Sequence, residues 1–210
     1  MKVIYGGTFD PVHHGHLRLA VELRESLAVS EVALMPCHIP PHRESPGASS
    51  DLRLDLLRLA IAGERGLAVD NRELNREGAS YTADTLRQIR DEIGPDEPLA
   101  MVVGTDSFAG FDHWQEWECI PDLAHIIVVV RPGSRVRPKS APAKLMSARA
   151  ANSIEELHSR PGGRVFVLEP PLMDISATDI RQRIQDGRSP RYLMPDSVWR
   201  KICQLGLYGA

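Results

Sequence analysis

The sequence predicts an α/β fold, doubly wound around a mostly parallel sheet, with a small C-terminal helical extension. Three observations carry this. Short apolar runs alternate with amphipathic stretches along the chain. The runs end in glycine, aspartate or arginine, and an open parallel sheet gathers its ligand-binding groups at that carboxyl edge. The first run meets a glycine pair and then a helical pattern, a strand–turn–helix order that leaves free N–H groups facing the turn. Together these describe a Rossmann-like layering.

Lys2 to Tyr5 is long enough for a buried strand, and Gly6-Gly7 stops it. Glycine lets backbone approach a ligand closely. Asp10-Pro11 turns the chain. From about His14, the residues Leu17, Ala20, Val21, Leu23 and Leu27 fall at helical spacings. His13 and His16 are three apart, so in a first helical turn their rings share one face. Two imidazoles there can hold a phosphate beside the positive helix end. That end lowers their pKa and a bound polyphosphate raises it, so the sequence leaves their charge open. A divalent-metal site is the alternative. It finds only Asp10 as a further ligand at suitable spacing and gives the glycines no role.

Val32 to Met35 reads as a second strand, ended by Pro36. Prolines stiffen the loop Cys37-His38-Ile39-Pro40-Pro41-His42-Arg43. Its plainer reading is a rigid surface loop; its functional reading brings His42 and Arg43 over the strand ends toward an anion. Ser49-Ser50-Asp51 offers N-caps for a helix to about Ala62, with Leu52, Leu56, Leu59 and Ala60 inward. Leu67 to Asp70 is a short strand. Ser80 to Leu86 opens a helix to about Ile93, halted by Gly94-Pro95. Thr82 and Thr85 read there as plain caps.

Leu99 to Val103 is an apolar strand that ends in Gly104-Thr105-Asp106. Asp106 caps the next helix or accepts hydrogen bonds from ribose hydroxyls. Trp114 and Trp117 follow, and Trp117 is read as core. His125 to Val130, the most apolar run, is placed centrally in the sheet. Arg131 stands at its end, either within reach of the same crevice or as an ordinary surface arginine. Ser134 to Lys144, basic but without aromatics, reads as an exposed, mobile loop rather than a nucleic-acid patch. Ala148 to His158 reads as a helix and Arg164 to Leu168 as the last strand. Ser176 or Thr178 caps a helix ending at Gly187, and Pro195 to Leu205 forms a short amphipathic helix.

Composition narrows the function classes. At 210 residues the chain is long enough for a substantial core. A net charge of −3 supplies no basic field for nucleic acid. Cys37, Cys119 and Cys203 are far apart and form no Cys-x-x-Cys, which suits free thiols in a reducing cytoplasm. No apolar stretch is long enough to span a membrane, and the N-terminus shows no signal-peptide pattern. The glycine fingerprint of dinucleotide-binding oxidoreductases and the Gly-Lys-Ser/Thr of a P-loop are both missing.

Gly6-Gly7-Thr8-Phe9-Asp10-Pro11-x-His13-x-Gly15-His16 resembles the opening signature of the H-x-G-H nucleotidyltransferase superfamily. Ile175-Ser176-x-Thr178-x-x-Arg181 resembles its second signature. Between them, three looser segments resemble the bacterial-type nicotinate mononucleotide adenylyltransferases. These are Met35-Pro36-x-x-x-Pro40-Pro41-His42-Arg43, Ser80-Tyr81-Thr82-x-x-Thr85-Leu86, and Gly104-x-Asp106-Ser107 followed by Trp114. The resemblance covers most of the chain. It implies a single nucleotidyltransferase domain over residues 1–210, with its core to about 187 and a helical segment from about 188.

The activity implied is transfer of AMP from ATP to nicotinate mononucleotide, giving deamido-NAD and pyrophosphate in cytoplasmic NAD biosynthesis. His13, His16 and Arg181 are the implied catalytic residues. Gly6, Gly7, Thr8, Phe9, Gly104, Asp106, Ser176, Thr178 and Arg181 are implied at ATP. His42, Arg43, Thr82, Thr85, Asp106, Trp114 and Arg131 are implied at nicotinate mononucleotide. Mg²⁺ is expected to arrive with ATP, without a dedicated protein metal site. Neither nucleic acid nor membrane is an expected partner, and homo-oligomerisation is left open. Rival readings keep the signatures and change the acceptor, as in phosphopantetheine adenylyltransferases or cytidylyltransferases, or keep the fold as a non-catalytic nucleotide sensor. The acceptor segments argue against the first rivals, and the intact His13, His16 and Arg181 against the second.

Overall fold

The structure, a computed structural model, describes residues 1–38, 46–76 and 78–210. His42 and Arg43 lie outside the described residues. The strands are β1 (Lys2–Gly7), β2 (Val32–Pro36), β3 (Leu67–Val69), β4 (Leu99–Gly104), β5 (His125–Val129) and β6 (Val165–Leu168). They form one parallel sheet in the order β3-β2-β1-β4-β5-β6. Val3 pairs with Val32 on one side and Ala100 on the other. The winding reverses between β1 and β4, so their carboxyl ends open a switch-point crevice. β5 is internal, between β4 and β6, while β1 and β4 hold the middle.

The helices are α1 (His14–Ser26), α2 (Ser50–Ile61), α3 (Thr82–Ile93), α4 (Thr105–Phe108), α5 (Ile120–Leu123), α6 (Ala141–Ala148), α7 (Ile154–His158), α8 (Ala177–Gln185) and α9 (Asp196–Leu205). Strand residues alternate between two cores, the period-two pattern of a sheet buried on both faces. Val3, Tyr5, Val102 and Ile127 meet α1, α2, α8 and α9 through Leu23, Leu57, Ile180 and Val198. Ile4, Met101, Val103 and Ile126 meet α3 and the segment after β4 through Leu86, Ile89, Phe108 and Phe111.

Several expectations are corrected. Leu59 of α2 is exposed, and the buried face carries Arg53, Leu54, Leu56 and Leu57 instead. Residues 134–144 are not one loop: α6 begins at Ala141, with the Ser140 hydroxyl accepting from Ala143 N–H. Nor is 148–158 one helix. Ala151 N–H donates to the Val165 carbonyl and Val165 N–H to that of Arg149, and this pairing with the sheet edge breaks the helical ladder. Gly104, not Asp106, is the N-cap of α4. Ser176, not Thr178, caps α8, accepting from Asp179 N–H at 3.1 Å.

Candidate active site

A crevice of about 1600 Å³ opens over the carboxyl ends of β1 and β4. Every described residue that the sequence implicates lines it. Gly6 and Gly7 differ in what they do. A Cβ on Gly6 would meet nothing among the described residues within 4 Å, whereas one on Gly7 would strike the Phe9 ring at 2.9 Å. Gly6 therefore leaves room for a ligand, and Gly7 leaves room for Phe9. Phe9 is 1 % exposed and holds the left-handed φ of 51°. It acts from beneath the crevice, edge-on to His16 with ring centroids 5.0 Å apart.

His13 is the N-cap of α1 and His16 lies in its first turn. His13 N–H donates to His16 Nδ1 at 3.3 Å, which leaves the His16 proton on Nε2. Burial first, then the Arg131 charge and His14, push the His13 pKa down to about 4. Burial, His13 and Arg131 hold His16 well below the ordinary histidine range. Both rings are thus neutral donors at neutral pH. His13 Nδ1 is buried without a hydrogen-bond partner among the described residues. A Cβ on Gly15 would meet the His13 ring at 3.1 Å, so glycine here lets that ring settle against the helix start.

Past β4, Asp106 and Arg131 form an ion pair at 3.3 Å. They lie across Gly104, where a Cβ would come within 2.4 Å of Asp106 Oδ1 and 2.7 Å of Arg131 Nε. Trp114 lines the same wall and leans on Phe111, with centroids 5.2 Å apart. Trp117 also meets Phe111 and is only partly buried, at the margin of the core.

The start of α8 also lines the crevice. Arg181 Nη1 donates to the Asp10 carbonyl at 2.6 Å, and Nη2 to Thr178 Oγ1 at 3.4 Å. Ser176 and Thr178 stay exposed at the helix N-terminus. Free N–H groups, hydroxyls and a guanidinium thus share one anion-binding end.

Thr82, which also lines the crevice, opens α3 and is half-buried. Thr85 is 1 % exposed, and its hydroxyl donates to Glu73 Oε1 at 2.8 Å. Burial raises the Glu73 pKa, against the pull of Thr85, Ser80 and Arg76. This contact ties Thr85 to the structure beneath the helix start, while Thr82 stays nearer the open crevice.

Sequence reasoning passed over Glu73, Arg53 and Tyr208. Arg53 is 0 % exposed. It donates to the carbonyls of Thr8 at 2.7 Å, Cys37 at 2.8 Å and His38 at 3.1 Å. It thereby ties the turn after β1 to the turn after β2. Its signal was legible: Arg53, Leu56, Leu57 and Ala60 fall at i, i+3, i+4 and i+7, the spacing of an inward stripe.

The profile of the cytidylyltransferase-like family matches residues 4–183. A Marinobacter nauticus protein named "Probable nicotinate-nucleotide adenylyltransferase" is 64% identical, covering 100% of this chain and 97% of that one. A Cellvibrio japonicus protein of the same name is 47% identical over 98% of this chain and 97% of its own. The Plasmodium falciparum nicotinic acid mononucleotide adenylyltransferase, solved in complex with NaAD, superposes with a TM-score of 0.73 at 15% identity. That match covers 99% of this chain and 98% of that one, a likeness of fold. Relatives of this similarity, spanning the whole chain, place it within the cytidylyltransferase-like proteins as a member of the nicotinate-nucleotide adenylyltransferase family.

Proposed function

We propose that the chain transfers the adenylyl group of ATP to nicotinate mononucleotide, releasing pyrophosphate and forming deamido-NAD in cytoplasmic NAD biosynthesis. The observation that carries this is the crevice itself. Two stacked neutral imidazoles line the same crevice as a helix N-terminus that carries Ser176, Thr178 and Arg181. Residues 1–210 are read as one nucleotidyltransferase domain.

A phosphate oxygen of nicotinate mononucleotide attacks the ATP α-phosphorus. The bond from that phosphorus to the bridging oxygen breaks, and pyrophosphate leaves with the electron pair. The nucleophile is already ionised, so no general base is required. The work of the protein is positioning and charge stabilisation. His16 Nε2–H and the His13 ring face the charge that develops on the α-phosphate oxygens. Thr8, Ser176, Thr178 and Arg181 hold the phosphate chain. Asp106 takes ribose hydroxyls, and Arg131 beside it offsets anionic charge. Trp114 takes the pyridine ring face, and the start of α3 at Thr82 faces its carboxylate.

Among the described residues no group of three or more His, Cys, Asp or Glu side chains is arranged to hold a metal ion. Of the buried crevice carboxylates, Asp10 already accepts from Gly47, Ala48 and Tyr208, and Glu73 from Thr85. These donors fit Mg²⁺ that enters on ATP, ligated mainly by phosphate and water oxygens. Asp106 and Asp174, both exposed in the crevice, are carboxylates that could meet its water shell. Bound there, the ion would neutralise phosphate charge.

The test is pyrophosphate release from MgATP with nicotinate mononucleotide, nicotinamide mononucleotide or phosphopantetheine offered separately. Turnover with nicotinate mononucleotide is expected. The His16→Ala variant should lose about a hundredfold or more in kcat, the cost of one positioned donor. Tight ATP binding without turnover on any acceptor would replace the enzyme by a nucleotide sensor.

A further inference from the structure

The C-terminal Tyr208 reaches back to the first signature. Its hydroxyl donates to Asp10 Oδ1 at 2.7 Å. Asp10 is 4 % exposed and also accepts from Gly47 N–H at 2.8 Å and Ala48 N–H at 3.1 Å. The Tyr208 ring packs over Gly47, where a Cβ would stand 3.1 Å from it. Four segments remote in sequence therefore meet at one carboxylate: the first turn, residues 47–48, the C-terminal tail and Arg181 of α8.

The distances around Asp10 are unequal in a telling way. The Arg181 guanidinium donates to the Asp10 carbonyl at 2.6 Å, yet stands 3.7 Å from its carboxylate. A buried carboxylate beside a guanidinium ordinarily closes into a charge-assisted pair. Here its oxygens are occupied by other donors, and Arg181 keeps the rest of its fork toward the crevice.

We propose that Tyr208 is a positioning residue for phosphate binding: its hydroxyl holds the Asp10 carboxylate away from Arg181, leaving the guanidinium to the ATP phosphates. This rests on the reading of Arg181 given above. Without the hydroxyl, Asp10 Oδ1 keeps, among the described residues, only Ala48 N–H, and the carboxylate turns onto Arg181. Burial and the bond to Asp10 both raise the Tyr208 pKa, so the group remains a donor across the working range.

The experiment is a double-mutant cycle of Tyr208→Phe and Arg181→Met, read as kcat/KM for ATP in pyrophosphate release, below the unfolding transition of each variant. Tyr208→Phe keeps the ring packing and removes only the hydroxyl. It is expected to lower kcat/KM about tenfold, the scale of one hydrogen bond to a charged group. With Arg181→Met already present, the same change should cost less than about twofold. Gly47→Ala, which pushes the Tyr208 ring outward, should follow Tyr208→Phe and serves if that variant does not fold. Equal losses in both backgrounds would reduce Tyr208 to a structural role and overturn the inference. So would wild-type activity in Tyr208→Phe while Arg181→Met is impaired, and that result would leave the site reading intact. Wild-type activity in Arg181→Met would instead remove Arg181 from the phosphate site, and the inference with it.

Discussion

The His13 imidazole lies stacked on that of His16, with ring centroids 3.7 Å apart and planes inclined by 26°. Two cations cannot comfortably share that geometry. Burial and their closeness to Arg131 press both pKa values down. The pair is therefore neutral at neutral pH, and protonation of either ring works against the fold.

That sets a pH dependence. The His13 pKa falls from 6.5 unfolded to about 4 folded. Between those values the unfolded chain binds more protons, so stability rises with pH across the window. The contribution is complete above 6.5 and is lost as pH drops toward about 4, to the extent of about 3 kcal/mol for His13. His125, buried between the Arg160 carbonyl and Arg164 N–H, shifts in the same direction. Urea unfolding at several pH values should show this slope, and His13→Asn should flatten it in part.

Arg53→Met should destabilise the protein by about 3 kcal/mol, since three backbone carbonyls lose their buried donor. At this chain length that lowers Tm by roughly 10 °C. Calorimetry checks the shift. Activity should fall as well, because the Thr8 and Cys37 turns are no longer tied together.

Gly104→Ala should damage binding more than stability. The new methyl displaces Asp106 and Arg131, which are exposed and able to swing outward. KM is expected to rise about tenfold for both substrates, on the scale of a displaced charge-assisted contact, with a thermal midpoint near that of the wild type. Steady-state kinetics beside a thermal melt separates the two.

Thr82→Val and Thr85→Val should diverge. Thr85 shares a buried bond with Glu73, so its loss should cost about 2 kcal/mol of stability. Thr82, at the first position of α3, should instead raise KM for nicotinate mononucleotide with little change in unfolding. Comparable kinetic effects with unchanged melts would place both hydroxyls on the substrate.

The strands and most helices were legible because their signals are local. Runs such as Leu99 to Val103 can only be buried on both faces, and β4 is there. The boundaries that failed are those where a tertiary pairing wins, as at Ala150, drawn out of the helical pattern by a bridge to Val165. The signature residues were legible as a set through resemblance. Phe9 was legible in position only: it packs beneath His16 rather than standing open to the crevice. Glu73 and Arg53 were missed because a charged residue in sequence reads as solvated until its burial is known.

By itself, the chain's order of residues determined the alternation of strands and helices, the family, and the placing of glycine, histidine, hydroxyl and arginine at element ends. Each of these depends on neighbours within a turn or a strand. Only the tertiary structure decided the strand order, the neutral state of His13 and His16, the burial of Arg53 and the reach of Tyr208 to Asp10. The reason is physical: desolvation and long-range hydrogen bonding depend on what packs against a group, and partners 198 residues apart leave no periodic trace.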